Sequence, residues 1–123
     1  MGVPLKRRTA REMTEPERAW VGALLEGEGS VYPNGGGTTI CVANTDLELI
    51  SALLRLTGVG CVSLQTRAGQ RRGSGTARHD LWLWTLHRHN DVYAVACQCT
   101  EYSQKAQRAM KLIEQREAKR AEH

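Results

Sequence analysis

The chain has 123 residues, enough for one domain whose core removes roughly two-thirds of the unfolded surface from water. Seventeen Lys and Arg against thirteen Asp and Glu give a net charge of +4 and a pI near 9.1, which suits a polyanionic partner without identifying one. No apolar run approaches the roughly eighteen residues of a membrane helix and no hydrophobic leader opens the chain, so the expectation is a soluble, intracellular protein.

Residues 1–12 are polar and basic (Lys6, Arg7, Arg8, Arg11) without periodicity and read as a flexible basic arm. Thr14-Glu15-Pro16-Glu17 is a capping box that opens a helix running to about Gly27. Trp20, Val21, Leu24 and Leu25 give this helix an apolar face broader than one core needs, as expected if a second helix packs there. It closes on Glu26-Gly27-Glu28-Gly29. Carboxylates at a helix C-terminus oppose the macrodipole and the unpaired last carbonyls. A hard divalent cation would use both kinds of oxygen. The plain alternative is an ordinary helix end, with Gly27 and Gly29 as left-handed caps and both acids solvated.

Ser30–Pro33 and Thr38–Ala43 read as strands joined across Asn34–Gly37. Val31, Ile40 and Val42 would line one face; Ser30, Tyr32, Asn34, Thr39 and Cys41 would line the other. Thr45 with Glu48 forms a second capping box, and the helix it opens ends at Gly58-Val59-Gly60. Cys61–Arg67 alternates as a third strand. Ala68–His79, with Arg71, Arg72 and Arg78, reads as a loose loop. Asp80–Arg88 is apolar on both faces. Trp82 and Trp84 are expected under the helices, with stacking on a ligand as the alternative. Asn90 caps a helix to about Thr100, and Ser103 opens a last one to about Arg120. The four cysteines lack the C-x-x-C spacing of zinc ribbons, so reduced, packed thiols are expected.

This order predicts an α+β domain with one antiparallel four-stranded sheet and its helices on one face. The open face would carry Ser30, Tyr32, Asn34, Thr39, Ser63, Gln65 and Arg67, polar and poor in acids. A two-stranded ribbon fits the major groove, so these residues, with Arg71, Arg72 and Arg78, are candidate DNA contacts. The alternative is the wet side of an ordinary sheet.

Val21-Gly22-Ala23-Leu24-Leu25-Glu26-Gly27-Glu28-Gly29, followed by Ser30-Val31, resembles the signature of the LAGLIDADG homing endonucleases, with glutamates in place of aspartates. The family's Ala-Gly order appears here as Gly22-Ala23, and both positions stay small. Asn44-Thr45-Asp46, Leu56-Thr57-Gly58-Val59-Gly60 and Trp84 also resemble the family at the expected distances, and the likeness runs from about Glu12 to Glu114. The resemblance implies an αββαββα saddle fold. It further implies a single-motif, homodimeric enzyme that cuts double-stranded DNA at a near-palindromic site, using Mg²⁺, with Mn²⁺ able to substitute.

By the same resemblance, Glu28 and the Gly27 carbonyl hold metal and Asn44 orders active-site water. Lys105 sits near the scissile phosphate, although alignment on the following glutamine puts Gln104 there instead. Glu26 is expected to be structural, bonding amides of the partner's helix end or of its own turn. Val21, Gly22, Ala23, Leu25 and Glu26 form the expected dimer interface. The alternative is a non-catalytic binder on the same fold, an RNA maturase acting on its own intron RNA or a DNA-binding regulator. Retention of Glu28 near phosphates favours the enzyme. A third option is an unrelated basic binding domain.

Overall fold

The computed structural model describes residues 9–72 and 75–122; Lys6, Arg7 and Arg8 of the expected arm lie outside the described residues, as does the side chain of Arg72. Within them the chain runs α1 (Glu15–Glu28), β1 (Gly29–Asn34), β2 (Gly37–Asn44), α2 (Leu47–Thr57), β3 (Cys61–Thr66), β4 (Arg71–Arg72), β5 (Gly75–Thr76), β6 (Leu81–Leu86), α3 (His89–Cys99) and α4 (Gln104–Ala121). The main sheet is antiparallel in the order β1-β2-β6-β3. This is the expected α+β architecture.

Local chemistry sets the boundaries. The capping box at Thr14 forms as read: Glu17 N–H donates to Thr14 Oγ1 at 3.4 Å and Thr14 N–H to the Glu17 carboxylate at 2.9 Å. The first hairpin turns through Gly35-Gly36, with Gly35 at φ +58°, a conformation that costs glycine nothing. Asp46, not Thr45, caps α2, accepting from Glu48 and Leu49 N–H at 3.0 and 3.4 Å. An ionised carboxylate one residue closer to the helix outcompetes a hydroxyl. Asn90 does not cap α3 either. Strand β6 ends at Leu86 and the short link enters the helix at His89, leaving Arg88 at the N-cap without a side-chain bond. Ser103 caps α4 as expected, accepting from Ala106 N–H at 3.0 Å.

The helices cover one face of the sheet. Inward residues alternate along the strands: Val31 on β1, Ile40 and Val42 on β2, Trp84 and Leu86 on β6. They pack against Val21 and Leu25 of α1, Ile50 and Leu53 of α2, Val92 and Val95 of α3 and Ile113 of α4. The ambiguous strand therefore resolves inward. Trp84 is fully buried and its Nε1–H donates to Val59 O at 3.0 Å, while Trp82 packs on the same core. Gly60, at φ +105°, lies so close to the Trp84 indole that a Cβ would collide with Nε1.

Two expectations about loops change. Ala68–His79 is not a loose loop but a second small ribbon: β4 pairs with β5, and Gly69 N–H to Ala77 O (2.8 Å) and Ala77 N–H to Gln70 O (2.9 Å) extend the ladder. Arg11, placed in the expected flexible arm, is fastened. Its guanidinium donates to Leu56 O at 2.8 Å and Arg55 O at 3.3 Å, its N–H to Thr57 O at 2.8 Å, and it lies 3.5 Å from the Glu17 carboxylate. A cation on the last carbonyls of α2 compensates the negative helix end. Arg11→Ala should therefore lower stability by about 1 kcal/mol in a urea titration.

Of the four free cysteines, Cys99 is buried, and burial first, with Cys97 beside it, pushes its thiol up to about 11. Cys41 is half-buried, and Cys61 and Cys97 are exposed, so packing protects fewer thiols than expected. Among the described residues no helix is long and apolar enough to cross a membrane.

Candidate functional site

The acids expected to carry the chemistry lie at the C-terminus of α1. Glu28 is the last helical residue, exposed, and without a hydrogen bond or ion pair among the described residues. Gly27, exposed beside it, belongs to the last turn, whose carbonyls have no following turn to accept from. Neither Gly27 nor Gly29 has positive φ, so they are not left-handed caps. Gly29 is extended at φ −82°, and its small size has a different cause: a Cβ there would meet Leu25 O at 2.5 Å. The glycine lets the chain leave the helix and enter β1 without a connecting loop.

The start of α4 is latched onto this corner. Glu26 accepts from Lys105 N–H at 3.1 Å and from Ser103 Oγ at 3.3 Å, so it caps the N-terminus of α4. The expected structural role specified a partner's helix end or its own turn; the helix end is α4 of the same chain. Lys105 Nζ donates to Gly29 O at 2.8 Å, which puts the ammonium on the residue next to Glu28. Gln104 is exposed at the outer surface of that turn. Of the two positions left open by alignment, Lys105 is the one brought to the corner.

Asn44 ends β2. In register Val42 faces Gly29 across the sheet, so Asn44 lies two residues further on, at the end where α1 delivers Glu28. Its Oδ1 already accepts from Asp46 N–H at 2.8 Å, forming the turn into α2. That leaves the amide NH₂ as the group able to meet a ligand or water.

The two faces of α1 do different work, and three of the expected interface residues are corrected. Val21, Gly22 and Leu25 are buried in their own chain. Gly22 is small because Tyr102 passes over it: a Cβ would lie 2.5 Å from Tyr102 Cβ. Ala23 is exposed, and it shares its face with Trp20 (40 % exposed), half-buried Leu24 and exposed Gly27. The spacing 20, 23, 24, 27 is a helical stripe, readable in the sequence once Val21 and Leu25 are assigned inward.

On the open face, Ser30, Tyr32, Asn34, Ser63 and Gln65 are exposed. Thr39 is not: it is 3 % exposed, set on the inner strand β2 opposite Tyr32, and its hydroxyl is 3.5 Å from the Asn34 amide that donates to it. Thr39 is thus a buried support for Asn34 rather than a contact residue. Arg67, Arg71 and Arg78 are exposed along the arm that ends in the β4–β5 ribbon. The ribbon is a separate two-stranded sheet beside the main one.

Among the described residues no three His, Cys, Asp or Glu side chains cluster as a metal site. One chain offers Glu28 and a helix-end carbonyl, hard oxygen donors suited to Mg²⁺ but too few to complete its shell. A sequence model for the LAGLIDADG-like domain matches residues 15–94, which takes in the helix, both halves of the sheet and the entry to α3. No curated protein matches the chain.

Proposed function

The chain belongs to the LAGLIDADG family, and from that premise we propose that it is a homodimeric, Mg²⁺-dependent endonuclease that cuts double-stranded DNA at a near-palindromic site. The observation that carries the reading is Glu28: a carboxylate without a partner, exposed at a negative helix end, with Lys105 fixed one residue away. Glu26, two residues earlier, is by contrast taken up by Ser103 and Lys105 at the start of α4.

Each residue of the corner has a role. Glu28 and the Gly27 carbonyl would hold the metal against a scissile phosphate; the bound metal supplies an activated water and a Lewis acid for the leaving oxygen. Lys105 adds fixed positive charge where negative charge develops in the transition state. The Asn44 NH₂ orients solvent at the same end of the sheet. Glu26 and Ser103 hold the first turn of α4, and with it Lys105, in place. The Trp20, Ala23, Leu24 and Gly27 stripe pairs with its own copy across a two-fold axis, so each strand of the duplex meets one Glu28.

The test is cleavage of a randomised duplex library. Cutting should require Mg²⁺ or Mn²⁺ and stop with chelator, and the recovered sites should be near-palindromic. Binding should weaken steeply with salt. Neutralising Arg71, Arg72 and Arg78 together should lower the log–log salt slope by about one for each phosphate that the arm no longer neutralises. Specific binding of duplex or RNA with no cleavage under any divalent metal would establish the non-catalytic reading instead.

A further inference from the structure

The strand registers define what the sheet offers to a duplex. Row by row across the open face, Ser30, Cys41, Thr85 and Cys61 align, and beside them Ala43, Leu83 and Ser63. Leu83 is half-exposed and points away from the core, because Trp82 and Trp84 on either side of it point inward. None of these side chains is charged and none carries an amide. The guanidinium and amide groups sit at the margins, Asn34 at one hairpin and Gln65, Arg67, Arg71 and Arg78 towards the other.

This distribution limits the code that can be read. Guanine is selected by a bidentate Arg or Lys and adenine by a bidentate Asn or Gln, and the two central rows hold none of them. What they hold is an aliphatic ridge, Leu83 flanked by Ala43, among single hydroxyls and thiols. In the major groove the apolar feature unique to one base is the thymine C5-methyl. Building on the proposed DNA docking of this face, we infer that Leu83 with Ala43 is a thymine-methyl reader. The inner part of each half-site is then selected for T, and G is selected only where the arginine arm reaches.

The experiment uses the full chain and the best site from the randomised library. Each thymine of the half-site is replaced in turn by uracil, which keeps the base pair and removes only the methyl. One or two inner positions should lose about three- to fivefold in affinity, the value of one buried methyl group, while thymines opposite the arm lose nothing. Leu83→Ala should abolish that uracil penalty with the fold intact, since the residue lies outside the core. Leu83→Gln should shift the preferred base at the same position towards adenine.

Specific binding with no uracil penalty at any position, or a half-site with G at the positions sensitive to Leu83, would overturn the inference and leave the nuclease reading standing. Failure to select any duplex site would overturn both.

Discussion

Glu28→Gln is expected to abolish cleavage, by roughly three orders of magnitude or more, while DNA binding holds or tightens. The substitution removes the proposed metal ligand, and losses of about 4 kcal/mol in transition-state stabilisation follow from removing one such group. It also removes a negative charge facing phosphate, so binding measured without divalent metal should hold or tighten. The fold has no stake in the change, because Glu28 is exposed and makes no hydrogen bond or ion pair among the described residues. Glu26→Gln is the matched control. Its carboxylate holds Ser103 Oγ and Lys105 N–H, so its loss should appear in the melting temperature as a weakened α4 cap. Two glutamates two residues apart thus separate the acid proposed to hold metal from the one that holds the first turn of α4 and Lys105. Site-specific cutting by Glu28→Gln at the wild-type rate, measured on the same duplex, would remove Glu28 from the mechanism.

Much of this was legible because short-range chemistry decides it. The Thr14 capping box, the Gly35-Gly36 turn and the Ser103 cap are each written in a few adjacent residues, and each forms. Where two acceptors competed within a residue or two, the sequence pattern underdetermined the outcome. Thr45 and Asp46 both offer caps, and the carboxylate wins. Asn90 is a good cap by type, but β6 hands the chain to α3 before reaching it. The β4–β5 ribbon was hidden because glycines and arginines give no alternation. Its pairing runs through backbone bonds of Gly69 and Gln70 to Ala77 and of β4 to β5, in a sheet separate from the main one.

The candidate site was legible in its members more than in their geometry. Periodicity showed that α1 has more apolar surface than one core needs, but not which residues turn outward. That required Tyr102, eighty positions away, to occupy the space over Gly22. Likewise strand alternation put Thr39 on the open face correctly, yet it could not show that Asn34 and the neighbouring strands would cover it. Lys105 is the clearest case. Sequence left two registers open, and the 2.8 Å bond to Gly29 O brings Lys105, not Gln104, to the α1–β1 junction.

Those two sides of α1 yield the sharpest contrast among variants, Ala23→Leu against Gly22→Ala. A new methyl at Gly22 would lie 2.5 Å from Tyr102 Cβ, an atom tied to the backbone, so the turn between α3 and α4 must shift. Overpacking of that kind costs about 1–3 kcal/mol, partly offset by up to about 1 kcal/mol of helix propensity gained over glycine. Gly22→Ala should therefore lower stability while the outer face of α1 stays as it was. Ala23 is exposed within the chain, so leucine there costs the fold nothing and adds bulk where the two copies of α1 would meet. On a two-fold axis that bulk counts twice, because each leucine confronts its counterpart. Helix axes sit about 8–10 Å apart and small residues hold the near end of that range, so the pair must separate. Both copies of Glu28 then leave their strands. The expected result is a dimer weakened into the micromolar range or beyond, no double-strand cutting, and a melting curve for the isolated chain like that of wild type. Sedimentation of wild-type protein as a monomer, free and on its target, would contradict the paired-helix arrangement. So would an Ala23→Leu protein that cuts both strands normally.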